Sequence, residues 1–170
     1  MKEATAKMAQ VRDSYVASLA AEATYKSEAA TITTPAEAKA AVDAGLLQLR
    51  ENDVALEDEV VIEVAPFFYQ LFRDSLTELK TNNDELIQKG IVGMYDNCKV
   101  KLSNNLYTDD NGTHMMIRTR KAIAFAGGIE QTEAYRPETL FSDAMKGLNV
   151  YGAKIIRPKE LYTIVAKKAS

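Results

Sequence analysis

A single histidine, His114, and a single cysteine, Cys98, limit the side-chain chemistry open to this 170-residue chain. One imidazole excludes a zinc site with two or more histidine ligands, and no catalytic triad is assigned to it. His114 lies at the start of a strand-like run beside a turn, "THMMIRTR", so a surface or sheet-edge position is expected for it in place of a catalytic one. Cys98 has no CxxC partner and only Lys99 as a basic neighbour, which fits a small buried hydrophobe better than a reactive thiolate. As the one cysteine it forms no internal disulfide, and the chain needs no oxidising compartment.

Acidic and basic groupings supply the remaining candidates. Asp109 to Thr113, "DDNGT", places oxygen ligands on alternate residues as a calcium loop does, but without the rest of that motif, including the bidentate glutamate at its far end. A hairpin tip is expected there. Glu57, Asp58 and Glu59 would offer a metal site or a carboxylate pair, yet consecutive positions in a turn point in different directions; a solvated turn is the plainer expectation. Arg118, Arg120 and Lys121 form the compact basic cluster. On a strand, Arg118 and Arg120 share a face. The trio is therefore the candidate contact for a phosphate backbone or an acidic neighbouring subunit, weighed against a solvated strand face. Gly127-Gly128 neither follows the required strand nor has the spacing of a dinucleotide fingerprint. No catalytic, cofactor or metal site is expected, and the chain reads as non-enzymatic.

Composition points the same way. Hydrophobic residues make up 46% and charged residues 26%, with a net charge of −3 and an isoelectric point near 5.3, the values of an ordinary globular protein. No basic excess of the kind that phosphate-backbone binding relies on is present. No apolar run approaches the ~20 residues of a membrane span, and the charged start "MKEATAKMAQVRD" is unlike a secretory signal. Synthesis in the cytosol is expected.

The elements that must position these residues follow from periodicity. Residues 2 to about 29 read as one long helix, with Met8, Val11, Tyr15 and Leu19 on a narrow stripe suited to lying across a surface. Thr34-Pro35-Ala36-Glu37 is a helix start, with a Thr cap, Pro at the first helical position and Glu three residues on. That helix runs to about Glu51, with Ala38, Val42, Leu46 and Leu49 on one face. "EVVIEV" reads as a buried strand, and Pro66 opens a helix with Phe68, Leu71, Phe72, Leu76 and Leu79 on a wide apolar face. A short helix is expected from about Asp84 to Gly90, then a hairpin of two short strands around Asp96-Asn97. "THMMIRTR" is a strand. "KAIAFAGGI" has a period that fits a short helix cut off by Gly127-Gly128, and the stretch to Pro137 reads as loop or irregular strand. A helix from about Pro137 to Gly147, the strand "LNVYGAKIIR", a break at Pro158 and a last strand "LYTIVA" complete the chain. Helices and one strand followed mainly by strands suit an α+β arrangement.

"FSDAMKGLNVYGAKIIRPKELYTI" resembles the ending of major capsid proteins of tailed bacteriophages and prophages with the Hong Kong 97-type fold. There, a short helix, a "GL.VYGAK..RP" strand and a last strand close the protein. "GIVGMYDNCKVKLSNNL" is similar to a family segment in which a Gly-rich turn precedes an edge strand. "RTRKAIAFAGGIEQTEAYRPE" is similar to the stretch linking its two domains, and "NDVALEDEVVIEVAPFFYQLF" to its strand-then-helix step.

The resemblance implies an α+β Hong Kong 97-like fold with axial and peripheral domains and a long spine helix. Residues 1–30 would be the spine helix of the peripheral domain, 31–112 the axial domain, 113–148 the return through the peripheral domain, and 149–170 the closing strands. It further implies a structural subunit of an icosahedral capsid enclosing DNA. Its partners would be copies of itself in capsomers, packaged DNA indirectly and a scaffolding protein, with no membrane. Its location would be the virion capsid, after assembly in the bacterial cytoplasm. The family's N-terminal arm and extended β-hairpin loop have no counterpart before the first helix, so the chain is expected to be a fragment, monomeric or weakly associating in isolation. An encapsulin-like shell or another non-enzymatic binding module of the same fold is the alternative. An enzyme with an unrecognised carboxylate site would need two acidic groups converging in a pocket.

Overall fold

A β-branched run interrupted only by Glu63, Val60–Val64, lies in the middle of an eight-stranded sheet, as its buried character requires. The computed structural model describes residues 2–55, 58–75, 91–136 and 144–168. In chain order the helices are α1 (Lys2–Ser18), α2 (Pro35–Glu51) and α3 (Pro66–Ser75). The strands are β1 (Tyr25–Lys26), β2 (Ala30–Ile32), β3 (Val60–Val64), β4 (Ile91–Tyr95), β5 (Cys98–Leu102), β6 (Thr108–Asp109), β7 (Gly112–Thr119), β8 (Ile123–Tyr135), β9 (Ala144–Ile155) and β10 (Leu161–Lys168).

The main sheet runs β1-β10-β7-β3-β5-β4, with β2 also on β10 and β6 on β7. β3 and β5 are parallel, while β7 is antiparallel to both β3 and β10. On one face Ile62, Val64, Val100, Met115, Ile117 and Ile164 pack with Val42, Leu46 and Leu49 of α2 and Phe68 and Phe72 of α3. Each of these helices begins at a proline. For α2 the expected capping box is present: Glu37 N–H donates to Thr34 Oγ1 at 3.3 Å and Thr34 N–H to Glu37 Oε2 at 3.1 Å. The hairpin β4–β5 turns at Asp96 and Asn97, both at positive φ (47° and 62°), the backbone that a tight two-residue turn between twisted strands demands.

Three expectations are corrected. The first helix stops at Ser18, tightens into a 3-10 turn over Leu19–Glu22, and gives way to β1 before residue 29, with β2 following from Ala30. The edge of β10 competes for this backbone: Ser27 N–H donates to Thr163 O at 2.9 Å, and Thr163 Oγ1 donates to Ala20 O at 3.1 Å. Small residues permit the approach, since Ala17, Ala20 and Ala23 form a second core with Met116, Ala122 and Leu161.

Next, "KAIAFAGGI" and the supposed loop after it form β8, one long strand from Ile123 to Tyr135. Gly127-Gly128 ends no helix; it lies at a register shift between Gly127 and Glu130 in the pairing with β9. A Cβ on Gly128 would come within 3.1 Å of Val150 O, so the close approach of the strands favours glycine. Finally, residues 144–147 of the expected helix over Pro137–Gly147 belong to β9, drawn into pairing with Ala134, Glu133 and Thr132. The earlier part of that helix lies outside the described residues, as do Leu76, Leu79 and the expected helix over Asp84–Gly90.

Together β8 and β9 make a two-stranded ribbon separate from the main sheet. Strand β10 lies in that sheet between β1 and β7, so the described part of the expected closing segment, residues 149–168, is divided between ribbon and sheet.

Candidate functional site

Alternation on β3, β5 and β7 sends Glu63, Lys99, Lys101 and Arg118 to the sheet face turned away from α2 and α3. Glu63 is 7% exposed, and its Oε1 receives Arg118 Nη2 at 3.1 Å with Lys101 Nζ at 3.5 Å. Glu59 binds Lys99 and, at 3.3 Å, Arg120 Nε. Lys121 Nζ reaches Asp58 Oδ1 at 2.8 Å. Glu160 accepts from Thr119 and, at 2.8 Å, from Arg157 Nη1.

Two of these acids, Glu59 and Glu160, are held in the charged form. The hydrogen bond from Lys99 keeps the Glu59 carboxyl below its ordinary range, against the opposing effect of burial. Burial raises Glu160, but hydrogen bonds from Thr119 and Arg157 outweigh it and leave the carboxyl lowered. A general acid or base works best with a pKa near the working pH, and both shifts lead away from it. Among the described residues no group of three or more His, Cys, Asp or Glu is placed to hold a metal ion.

Of the sequence-derived candidates, Arg118 and Arg120 do not share a strand face. β7 ends at Thr119, where Ala122 N–H closes a turn onto Thr119 O at 3.3 Å. Arg120 therefore stands at the turn, its side chain 73% exposed, while that of Arg118 is 17% exposed. Each of the three cations already has an acidic partner within the chain. Asp58 and Glu59 are engaged as described; Glu57 lies outside the described residues.

His114 is neither on the surface nor on an edge. It is 5% exposed on β7, opposite Val165 of β10. β6 folds over its other side: His114 N–H donates to Tyr107 O at 2.8 Å, and the rings stand 5.3 Å apart at 61°. Its Nε2 is 3.0 Å from Asp109 Oδ2. Asp109 also accepts from the N–H groups of Asn111 (2.8 Å) and Gly112 (3.1 Å), so "DDNGT" is a hairpin tip as expected. Burial pulls the Asp109 carboxyl up, but His114 and the two backbone donors hold it below its ordinary value. Cys98 is buried as expected, and burial pushes its thiol up to about 11.

The ribbon carries what residue-type reasoning missed. Odd-numbered residues of β9 turn toward α1: Tyr151 meets Tyr15 edge-on at 5.4 Å and stacks on Phe125 at 6.1 Å, while Ile155 joins the second core. On the even side Leu148 and Val150 are 55% and 48% exposed, and Ile156, just past the end of the strand, is 60% exposed. The signal was present in "LNVYGAKII", where both parities of one strand carry apolar residues, the pattern of a strand covered on two faces.

No family model matches the chain, and no curated protein matches it. Solved structures do. A chain of Mycobacterium phage Che8 superposes with a TM-score of 0.79 at 22% identity, covering 96% of this chain and 61% of that one. A chain of the capsid of cyanophage P-SCSP1u gives 0.68 at 14% identity, covering 96% and 63%. This chain has the Hong Kong 97-type capsid fold. The α+β class expected from the element order is thereby met, and the chain spans about three-fifths of the length of these two neighbours. The virus-like particle from Pyrococcus furiosus is a more distant neighbour of the capsid fold, at TM-score 0.57 and 14% identity, covering 91% of this chain and 61% of that one. No helix among the described residues is long and apolar enough to cross a membrane.

Proposed function

We propose that the chain is a structural subunit of a phage or prophage capsid, working through contact with other copies of itself and not through catalysis. The observation that carries this is the superposition of 96% of the chain on a chain of a phage particle at a TM-score of 0.79. The held carboxylates of Glu59 and Glu160 and the salt-bridged sheet face are consistent with it, being stabilising features without a group poised to move a proton.

In this reading the main sheet with α2 and α3 is the axial domain, and α1 with the β8–β9 ribbon is the peripheral domain. Arg120, the most exposed of the basic trio, is the member best placed to meet an acidic neighbouring subunit. Packaged DNA and a scaffolding protein are partners of the assembled particle, which would be built in the bacterial cytoplasm. A virus-like shell that is not a phage capsid is the second reading, supported by the lower-scoring virus-like particle.

Expression followed by sedimentation and negative-stain electron microscopy tests the proposal. Closed particles or ring-shaped capsomers are expected, from this chain or from a longer protein that contains it. A protein that stays monomeric at every concentration in both forms would overturn it.

A further inference from the structure

Packing of β10 against β7 dictates which residue follows Asn111. Position 112 must be glycine, because its φ is +137° and a Cβ there would stand 2.6 Å from Ala166 O of β10. The two residues before it, Asp110 and Asn111, turn the chain so that Asp109 pairs with Gly112 and Thr108 with Thr113. Asn111 is exposed at that tip. The result is a surface Asn-Gly step, the one such step in the chain, in which no side chain screens the nitrogen that follows the asparagine.

Six asparagines lie among the described residues, and their surroundings set Asn111 apart. The carboxamide of Asn52 donates to Lys159 O at 3.0 Å, and that of Asn105 accepts from Gln10 at 3.2 Å. Asn97 and Asn149 have partners as well. Asn104 is exposed but precedes Asn105, whose side chain screens the nitrogen between them. Among the described residues the Asn111 carboxamide has no hydrogen-bond partner; its backbone N–H alone is bound, to Asp109 Oδ1 at 2.8 Å.

We propose that Asn111 is a self-modification site, at which the chain converts asparagine to isoaspartate and thereby uncovers His114. The Gly112 nitrogen attacks Cγ of Asn111. The bond from Cγ to the carboxamide nitrogen breaks, and that nitrogen leaves as ammonia with the proton that Gly112 gives up, closing a cyclic succinimide. Water then opens the ring at either carbonyl. Opening at Cγ leaves aspartate; opening at the main-chain carbonyl leaves isoaspartate, whose backbone runs through Cβ and Cγ. Nothing is oxidised or reduced, and solvent water is the co-reactant. The reaction is the same whether or not the chain builds a shell.

The consequence follows from the bonds gathered at the tip. Asp109 Oδ1 accepts from the N–H groups of both Asn111 and Gly112, at 2.8 and 3.1 Å, while Oδ2 lies 3.0 Å from His114 Nε2. Isoaspartate inserts a carbon into the backbone between those two N–H groups, so one carboxylate oxygen no longer spans them. β6 is only two residues long, and its pairing with β7 is what lays Tyr107 and Asp109 over His114. A cover held by so few bonds opens when its turn is lengthened. His114, 5% exposed beneath it, then meets solvent.

Incubation of the full chain at mildly alkaline pH, followed by peptide mass mapping, tests the site, and labelling by an isoaspartyl methyltransferase identifies the product. Asn111 is expected to lose its amide about tenfold or more faster than Asn104 in the same folded sample. Diethyl pyrocarbonate, which acylates accessible imidazoles, is expected to label His114 in the converted fraction and to spare it in the unconverted one. In Asn111→Gln, where ring closure is slow, His114 should stay spared throughout with an unchanged circular dichroism spectrum. Conversion of Asn111 no faster than that of Asn104 in the folded protein, or conversion to aspartate alone, overturns the proposal. Equal labelling of His114 in converted and unconverted chains, or labelling that grows with age in Asn111→Gln, overturns the uncovering.

Discussion

Glu63 of β3 and Arg118 of β7 meet diagonally on one sheet face, carboxylate oxygen to guanidinium nitrogen at 3.1 Å, where Glu63 is only 7% exposed. Removing the guanidinium leaves a buried carboxylate with Lys101 at 3.5 Å as its remaining cation. Breaking such a pair on one side costs about 3 kcal/mol, whereas replacing both partners with apolar side chains is often neutral. Arg118→Met should therefore lower the urea midpoint clearly, and Glu63→Leu/Arg118→Met should recover most of the loss. A single variant as stable as the wild type would show that Lys101 suffices.

Gly45 and Gly112 both sit in close approaches, but against different obstacles. A Cβ on Gly45 would lie 2.6 Å from Ile117 Cδ1 and 2.8 Å from Tyr162 Cδ1, both side-chain atoms that can move. On Gly112 it would lie 2.6 Å from Ala166 O, a fixed backbone atom, at φ +137°. Gly45→Ala gains about 1 kcal/mol of helix propensity and loses about 1–3 kcal/mol to overpacking, a small net loss. Gly112→Ala adds backbone strain of about 1–3 kcal/mol to the clash and should be the more damaging. Thermal unfolding of the two variants orders them, and the reverse order would contradict the stated obstacles.

The sequence was most legible where local chemistry and tertiary packing agree. Thr34 to Glu37 begins α2 by its own capping groups, and Asp96-Asn97 turns β4 into β5 because two residues that tolerate positive φ stand between alternating runs. Legibility failed where a distant strand decided. Residues 19–29 read as helix, yet the edge of β10 takes the backbone of Tyr25 and Lys26. Residues 144–147 left the expected helix because Thr132 to Tyr135 of β8 pair with them. His114 was misplaced because β10 takes one edge of β7 at Val165 while β6 covers the other.

Cys98 offers a test of core integrity. With its thiol buried and pushed up to about 11, the thiolate fraction at pH 8 is small and access is blocked, so reaction with a disulfide reagent should proceed only through opening of the protein. Labelling is expected to be slow in buffer and complete within minutes in denaturing urea. Rapid labelling of the folded protein would mean that the β4–β5 hairpin opens readily.

Acid stability should depend on Asp109. Burial alone would raise its carboxyl, but the contact with His114 and the N–H groups of Asn111 and Gly112 hold it below the ordinary value. The unfolded carboxyl titrates near pH ~3.9. A group lowered in the folded state contributes stability that is complete above the unfolded value and lost as pH falls through the folded one. Asp109→Asn keeps the hairpin shape and an acceptor oxygen while removing the titration. Its unfolding temperature should lie below that of the wild type at pH ~6, with the gap closing under about pH 4 as the native carboxyl protonates. Glu160→Gln, at another lowered carboxyl, should show the same closing gap without altering the contacts of His114. A constant gap for Asp109→Asn from pH ~6 to ~2 would mean that Asp109 stabilises the turn by shape and not by charge.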